Sequence, residues 1–312
     1  MLMTRGKGVI YALGMVLLSV AVVFVVRLML SSSPGKVVGE TAKSGDLRVG
    51  VEDALVSVMG DVVPVFSRQY PDAAIALETG SFEELFNSMN DRSLRAMLVR
   101  GELMNREAAL LDSNDVAYRL EPVARDAIVC IVNAANPLPS LSVEELADIY
   151  TAKRSEWGSN VPESGAIRPY LNSNDSRLQL RFLALAAPAE EHLTAWHAGS
   201  DREVAEFVSV EKGAVGIVTL SGLKGLMASE ELSSLLRVVP LMLRKGGVPV
   251  KPSRHSVYQG SYPLGYIVYF MYRKQEALPA GFGAWLGKEG QKYIEQSGLT
   301  PYRQKVRVIN LK

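Results

Sequence analysis

The sequence predicts an α/β protein of two lobes that follows an N-terminal membrane-spanning helix. Short apolar runs rich in β-branched residues alternate with helical patterns of about 10 to 16 residues, which is typical of strand–helix units with parallel sheets. About 268 residues follow residue 44, enough for two lobes of ordinary domain size. Before them, residues 9–26 carry no charge and approach the roughly 20 apolar residues that span a bilayer as a helix.

The N-terminal residues predict an inner-membrane anchor. Arg5 and Lys7 precede the apolar stretch and no acidic residue does, so the positive-inside tendency keeps the N-terminus in the cytoplasm. We therefore expect residues 1–30 to form a cytoplasmic stub and a transmembrane anchor. Through this N-terminal helix the membrane is an expected binding partner of the protein. Residues 31–44, rich in Ser, Gly, Lys and Thr, predict a flexible tether. The body is expected in the periplasm or another extracytoplasmic space.

A cleavable signal peptide is the alternative interpretation of the same segment. The apolar run is long for the central region of a signal peptide, and residues 31–35 lack a clear small-x-small cleavage site. No cysteine follows the run, so attachment through a lipid-modified cysteine is not available. These features favour an uncleaved anchor.

Buried strands are predicted where short apolar runs are followed by turn residues. They lie at residues 47–51, 74–77, 96–99, 127–132, 167–171, 214–218 and 266–271. Because these runs alternate with helical patterns, we expect parallel sheets.

Helices are predicted where apolar residues recur at helical spacing. The first begins at Asp53, and Pro64 is expected to kink or interrupt it because proline lacks an amide donor. Capping boxes mark two further starts, at Ser81 with Glu84 and at Ser142 with Glu145. A last helix is expected over residues 281–296, closed by Gly298 and followed by Pro301.

Composition excludes several functional classes. The chain has 34 Lys and Arg against 33 Asp and Glu, so it has no basic field that would hold nucleic acid by its phosphates. After residue 44 there are 29 basic and 32 acidic residues, so a bound anion would need local donors. The single cysteine, Cys130, excludes an internal disulfide and multi-cysteine metal clusters.

No enzyme motif is present in the sequence, and we expect neither a catalytic site nor a cofactor. The sequence has no Gly-x-Ser-x-Gly elbow, no Walker loop and no Gly-x-Gly-x-x-Gly fingerprint. His192 and His197 are five residues apart, which on a helix places them on different faces and not side by side around a metal ion.

Several ordered motifs resemble the phosphate-binding proteins of ABC importers. An Ala-x-Asp step enters a strand, an Asn-x-x-Asn-Pro turn follows, and a capped helix then ends in Ile-Tyr before a tryptophan. A Gly-Ala-Val-Gly strand entry, a Gly-x-Tyr-Pro-Leu crossing and a Gly-Leu-x-Pro end complete the pattern. These motifs lie at residues 124–126, 133–137, 142–150, 157, 211–216, 260–264 and 289–301.

The resemblance implies a two-lobed periplasmic-binding-protein type II fold. It would place residues 45–123 and 240–312 in lobe I and residues 124–239 in lobe II. It also implies that a small oxyanion, phosphate favoured, lies between the lobes, where hinge closure traps it, and that an ABC permease receives it.

The expected binding residues lie at three helix starts that follow strands, at 52–54, 80–82 and 172–178. Free amides at helix N-termini bind oxyanions, and by the resemblance these starts hold the ligand. By the same resemblance, Ser81 and Ser176 are expected to supply hydroxyl donors and Arg100 charge-assisted donors. The ligand-binding candidates are Asp53, Ala54, Ser81, Phe82, Arg100, Asn174, Ser176 and Arg177.

The third helix start departs from the family pattern, which commonly reads Arg-x-x-x-Ser-Gly-Thr. Asn172 stands at the Arg position, and Arg177 with Leu178 replaces Gly-Thr, so Arg177 is the candidate to replace the lost arginine. Leu94 falls near the position of the aspartate that accepts a ligand proton in the family.

Two functions therefore remain open at this point. The first is a solute-binding protein that captures phosphate or a related oxyanion for an ABC importer. The alternative is a degenerate binding-protein fold that acts as a sensor or a partner-binding scaffold. On the second interpretation, Ser81 and Asp53 are helix caps only.

Overall fold

The computed structural model describes residues 39–158, 165–188, 190 and 192–303. The expected transmembrane anchor and most of the expected tether lie outside these residues. From Glu40 onward the chain forms one compact unit. Among the described helices, none combines the length and apolarity needed to cross a bilayer.

Seven of the strands coincide with the predicted apolar runs and five short ones were not predicted; we number all of them in chain order. They are β1 (Gly45–Val51), β2 (Ala73–Thr79), β3 (Ala96–Arg100), β4 (Tyr118–Asn133), β5 (Leu141–Ser142), β6 (Arg168–Asn172), β7 (Trp196–Ala198), β8 (Ala214–Thr219), β9 (Leu236–Val239), β10 (Leu241–Met242), β11 (Gly265–Arg273) and β12 (Thr300–Pro301). The five that were not predicted are β5, β7, β9, β10 and β12.

The helices lie between these strands and bury one apolar face each. They are α1 (Asp53–Gln69), α2 (Phe82–Asn90), α3 (Asn105–Ser113), α4 (Val143–Tyr150), α5 (Ser176–Ala186), α6 (Asp201–Val210), α7 (Leu220–Leu226), α8 (Glu230–Leu235), α9 (Arg254–Tyr258), α10 (Ala277–Leu286) and α11 (Gln291–Ser297). The capping boxes at Ser81 and Ser142 are confirmed, since each serine accepts from the amide three residues on.

Strand β4 joins two half-sheets. Its first part pairs with β11, which continues through β3 and β1 to β2, and β12 also lies beside it. Its second part pairs with β8, which continues through β6 to β7, and with β9 on its other side. The partner changes between Ala127 and Ile128. We call the two half-sheets, with the helices packed on them, lobe I and lobe II.

The sheet is mixed, although the sequence predicted parallel sheets. Strand β1 is parallel to β2 and β3, and β6 is parallel to β7 and β8, as expected for strand–helix units. The strands β4 and β11 run antiparallel to their neighbours because the chain passes between the half-sheets along β4 and later re-enters lobe I at β11.

Three elements differ from the sequence prediction. Strand β4 begins at Tyr118 and not at 127, because its first part alternates charged and apolar side chains and forms no continuous apolar run. Helix α1 continues through Pro64 to Gln69 without interruption. The last helix is divided into α10 and α11 by Gly287 and Gly290, and a Cβ atom at Gly290 would lie 3.0 Å from the ring of Trp285. Gly298 ends α11 as expected, at a φ of 121°.

Candidate functional site

A pocket of about 550 Å³ lies between the lobes, where strands of both half-sheets end. Open α/β sheets place ligands at such carboxyl ends of strands. Lobe I contributes the residues that follow β1 and β2 and the last residue of β3, and lobe II contributes the residues that follow β6, β7 and β8. These residues are Glu52, Asp53, Ala54, Gly80, Ser81, Phe82, Arg100, Asn172, Asn174, Asp175, Ser176, Gly199, Ser200, Asp201, Thr219 and Gly222.

Arg100 is the cation of this pocket, and two carboxylates bind it. Its side chain is only 2% exposed. Nε and Nη2 donate to Glu52 at 3.0 and 2.8 Å, and Nη1 and Nη2 donate to Asp175 at 2.8 and 2.5 Å. Burial alone would lower the pKa of Arg100, but the charges of Glu52 and Asp175 outweigh it and raise the pKa well above its ordinary value. Arg100 therefore stays charged and joins lobe I to lobe II.

Carboxylates outnumber cations around the pocket. Glu52, Asp53, Asp175 and Asp201 line it, and Arg100 is the cation among the lining residues. Burial raises the pKa of Asp201, and the nearby charge of Asp175 raises it further. Among the described residues, no group of three or more His, Cys, Asp and Glu side chains could hold a metal ion. The pocket thus offers more acceptors than donors from its side chains.

Helix α5 holds the two lobes together through what we call the α5 clamp. The clamp consists of Asp175, Ser176, Arg177 and Arg181 of lobe II with Glu83, Arg100, Glu102 and Glu107 of lobe I. Ser176 Oγ donates to Glu83 at 2.9 Å, and Arg181 Nη1 donates to Glu102 at 3.1 Å. The helix therefore lies along lobe I and closes one side of the pocket.

Arg177 is the most deeply buried member of the clamp. Its guanidinium donates to the Glu107 carboxylate at 2.7 Å and to the main-chain oxygen of Arg100 at 3.0 Å. The same group lies over the ring of Phe82, 4.0 Å from the ring centroid. Burial lowers the pKa of Arg177, and the charge of Glu107 opposes that effect. Arg177 is thus fully engaged inside the protein.

The comparisons with known proteins agree with this architecture. A family model described as a PBP superfamily domain matches residues 36–289. The chain belongs to this superfamily. The resemblance found in the sequence is therefore confirmed. As a member of this superfamily, the protein is a binding protein and not an enzyme. No curated protein sequence matches the chain significantly.

Solved structures with the same fold include proteins of phosphate transport. An ABC transporter substrate-binding protein with bound phosphate from Clostridium perfringens is 16% identical, with a TM-score of 0.66 over 83% of this chain and 100% of that chain. An ABC-type phosphate transport receptor from Vibrio cholerae is 15% identical, with a TM-score of 0.64 over 81% and 98%.

The same fold also occurs in a regulator. The OxyR regulatory domain from Pseudomonas aeruginosa is 13% identical to this PBP superfamily member, with a TM-score of 0.51 over 84% of this chain and 100% of that chain. At these identities the likeness concerns the fold alone.

Seven of the eight predicted binding residues of this PBP superfamily member line the pocket. In lobe I, Asp53 and Ala54 lie in the first turn of α1, and Phe82 begins α2. Ser81 caps α2, where its Oγ accepts from the Glu84 amide at 3.3 Å and lies 3.0 Å from the Glu84 carboxylate. The Ser81 hydroxyl is thus occupied within its own helix cap.

In lobe II the predicted residues have different surroundings. Asn174 is exposed and donates to the main-chain oxygen of Gly199 at 2.9 Å, and Ser176 belongs to the clamp. Arg177 does not line the pocket, because its guanidinium turns away toward Glu107. The structure therefore places Arg177 against Phe82 and the main chain of Arg100, but not in the pocket.

The prediction missed several residues of the pocket. Asp175 accepts from the Leu178 amide, Ser200 from the Glu203 amide and Thr219 from the Gly222 amide, so each caps a helix that follows a strand. Of these three residues, only Ser200, with Glu203 three positions on, has the capping-box spacing that identified Ser81, so the sequence carried that signal for Ser200 and not for Asp175 or Thr219.

Proposed function

We propose that the protein is a membrane-tethered extracytoplasmic solute-binding protein that captures phosphate or a related oxyanion and passes it to an ABC permease. The observation that supports this most is the convergence of the N-termini of α1, α2 and α5 on the pocket around Arg100. First-turn amides lack intrahelical acceptors and bind oxyanions well. The solved phosphate transport proteins that share the fold support the same ligand.

The excess of carboxylates favours an oxyanion that carries a proton. The bonds of Arg100 to Glu52 and Asp175 use four of its five N–H groups. Hydrogen phosphate can accept from helix amides and donate its proton to a carboxylate such as Asp201. Sulfate has no proton at neutral pH, so the carboxylates repel it. We therefore propose that the pocket selects phosphate over sulfate.

Calorimetric titration of the full-length protein with phosphate and sulfate at pH 7 tests this function. We expect saturable binding of phosphate and none of sulfate. Ala54→Glu adds a carboxylate to the pocket and should weaken phosphate binding, whereas the neutral Ala54→Gln, of matched size, should weaken it less. If phosphate, sulfate and other oxyanions all give no heat of binding, the capture function is wrong.

The proposal that the protein is attached to the membrane depends on the apolar residues 9–26 and the basic residues before them. We propose that this segment stays attached and holds the body at the outer face of the inner membrane. The mass of the protein isolated from its native membrane tests the proposal, because an uncleaved chain retains residues 1–38 and resists extraction by alkaline carbonate. A shortened chain in the soluble fraction would contradict it.

A partner-binding scaffold or sensor is the second candidate function, and Asp175 favours it. The Asp175 carboxylate forms with Arg100 the paired hydrogen bonds that a ligand oxyanion would form. A cleft joined in this way by the chain's own groups can present the outer surface of the lobes to another protein. Phosphate binding to the Asp175→Asn variant separates the two candidates, as set out in the Discussion.

A further inference from the structure

A second cavity, of about 410 Å³, lies beside the point where α5 meets lobe I. We call it the Arg125 pocket, and Glu102, Arg125, Leu185, Leu243, Tyr262 and Ile267 are among its lining residues. It shares no residue with the pocket around Arg100. It is therefore a separate cavity with its own chemistry.

Arg125 is half-buried in this pocket and has no hydrogen-bond partner among the described residues. Its Nε is buried without an acceptor, and its guanidinium lies 4.7 Å from the ring centroid of Tyr302. Each other buried or half-buried arginine of the described chain donates to at least one acceptor. Arg181 and Arg273 also have a buried Nε without an acceptor, but each donates through Nη1, so Arg125 differs in having no acceptor for any of its guanidinium nitrogens among the described residues. A buried donor without an acceptor costs about 1–3 kcal/mol.

The positive charge of Arg125 is not compensated by the neighbouring carboxylates. Glu102 is bound by Arg181 at 3.1 Å and accepts from the hydroxyl of Tyr269. Asp126, next in sequence, projects from the other face of β4 and accepts from Ser221. The Arg125 pocket thus offers a guanidinium whose hydrogen-bonding edge has no acceptor among the described residues.

The walls of the pocket combine polar and apolar side chains and are partly open to solvent. Leu243 is 69% exposed and Leu185 is 37% exposed, which places two of the few exposed large apolar side chains of the described chain at this cavity. Ile267 and Pro263 add further apolar surface. Small-molecule sites combine a mostly apolar wall with a few polar anchors, in cavities of about 300 to 1,000 Å³.

From these features we infer that the Arg125 pocket binds a small carboxylate that carries an apolar group. The carboxylate pairs with the guanidinium of Arg125, which supplies parallel N–H donors, and the apolar group packs on Leu185 and Leu243. This site goes beyond the proposed oxyanion capture, because it uses different residues and a different class of ligand.

Benzoate is a suitable probe, and benzyl alcohol is its neutral counterpart of similar size. In calorimetric titration of the full-length protein, we expect saturable binding of benzoate and at least tenfold weaker binding of benzyl alcohol. Arg125→Met should weaken benzoate binding at least tenfold. The matched control is Arg119→Met, which removes an exposed arginine of the same strand outside the pocket and should leave benzoate binding unchanged. Thermal unfolding of both variants verifies that they are folded.

A second pair of variants tests the position of the site without altering Arg125. Leu243→Glu adds a negative charge at the exposed rim and should weaken benzoate binding several-fold more than the neutral Leu243→Gln. Three results would overturn the inference. They are no saturable binding at up to about 10 mM benzoate, equal binding of benzyl alcohol, or unchanged binding to folded Arg125→Met.

Discussion

The two pockets of this protein differ in how their arginines are satisfied. Arg100 ends β3 and donates to carboxylates of both lobes, whereas Arg125, on β4, has no acceptor among the described residues. Arg100 is 2% exposed and Arg125 is half-buried, so both side chains are partly removed from water, yet only Arg100 has acceptors among the described residues. The difference is in the neighbouring carboxylates, because Glu52 and Asp175 face Arg100 and no carboxylate of the described residues pairs with Arg125.

This difference teaches which ligands each pocket suits. Around Arg100 the chain already supplies the negative charge. A solute bound there therefore gains most of its binding free energy from hydrogen bonds with helix amides and from a proton that it can donate to a carboxylate. At Arg125 the nearby Glu102 is engaged by Arg181 and Tyr269, so a ligand carboxylate can form the paired interaction with the Arg125 guanidinium. A deeply buried ion pair mainly holds the lobes in one arrangement, since its Coulomb attraction is offset by the loss of hydration.

Replacing each arginine by methionine should give the largest contrast between the pockets. Arg100→Met leaves Glu52 and Asp175 buried without their cation, and we expect the free energy of unfolding to fall by about 3–5 kcal/mol. Arg125→Met removes one contact with the Tyr302 ring, worth about 0.5–1 kcal/mol, together with an unsatisfied donor, so a change below about 1 kcal/mol is expected. Urea denaturation, followed by the fluorescence of the buried Trp157 and Trp285, measures both. Equal losses would show that the two arginines do not differ in this way.

Asp126 lies between the two arginines and should make stability depend on pH. Burial raises its pKa from an ordinary 3.8 to about 6, against the lowering effect of hydrogen bonds from Ser221 and Ala127. The folded protein therefore binds this proton more tightly than the unfolded chain, and the contribution to stability is lost as the pH rises through about 6. Between pH 4.5 and 7.5 this loss amounts to about 2 kcal/mol.

The Asp126→Asn variant isolates this contribution, because asparagine resembles the protonated aspartate. We compare the free energy of unfolding of Asp126→Asn with that of the wild type at each pH. We expect the variant's value, relative to the wild type, to be about 2 kcal/mol higher at pH 7.5 than at pH 4.5. Urea denaturation at the two pH values gives this difference directly. A constant offset between the two proteins would mean that the pKa of Asp126 is not raised.

Removing one carboxylate from Arg100 should make its pocket more similar to the Arg125 pocket. Asp175→Asn keeps an oxygen that can accept from the Leu178 amide, but it removes the charge that Arg100 binds. A charge-assisted hydrogen bond is worth about 1.5–3 kcal/mol, so we expect the affinity for phosphate to rise about tenfold or more.

Calorimetric titration of the wild type and Asp175→Asn with phosphate measures this change. Asp112→Asn, on the exposed side of α3, is the matched control and should leave the affinity unchanged. If neither the wild type nor Asp175→Asn binds phosphate, oxyanion capture is excluded and the scaffold function is favoured. A lower affinity would show that Asp175 takes part in binding the solute.

The smallest effects are expected at the two serines of the Arg100 pocket. Ser81→Ala removes a helix cap and should lower the free energy of unfolding by about 1 kcal/mol. Ser176→Ala removes a solvent-exposed hydrogen bond to Glu83, and we expect the free energy of unfolding to fall by less than about 0.5 kcal/mol. Thermal or urea unfolding compares the two. A larger loss for Ser176→Ala would mean that the clamp depends on this hydroxyl.

The local elements of the fold were predictable from the sequence, because their causes lie within a few residues. The capping boxes at Ser81 and Ser142 and the stop at Gly298 each depend on neighbours three or four positions away. The first part of β4 was not predicted, because its charged and apolar residues alternate and form no continuous apolar run. It is recognised as a strand only through its pairing with β11 and β12. The break between α10 and α11 was not predicted either, although Gly287 and Gly290 lie within the segment.

The candidate site was predictable in part. Helix starts after strands identified most of the residues that line the pocket, since carboxyl ends of strands meet at one edge of a sheet. Arg177 was wrongly grouped with them, because the direction of its side chain is set by Glu107, which is 70 residues away in sequence. The partners of Arg100 are 48 and 75 residues away, so no local pattern could have paired them.

By itself the sequence determined the alternation of strands and helices, the helix starts that face the pocket and the membership of the PBP superfamily. Hydrophobic periodicity, capping and ordered motifs are properties of short segments, so they can be detected without the fold. Only the tertiary structure decided which charges meet. Within the described part of the chain, Arg100 has two carboxylate partners and Arg125 has none. The reason is that electrostatic partners are selected by distance in space and by burial, and the spacing of residues along the chain gives neither quantity.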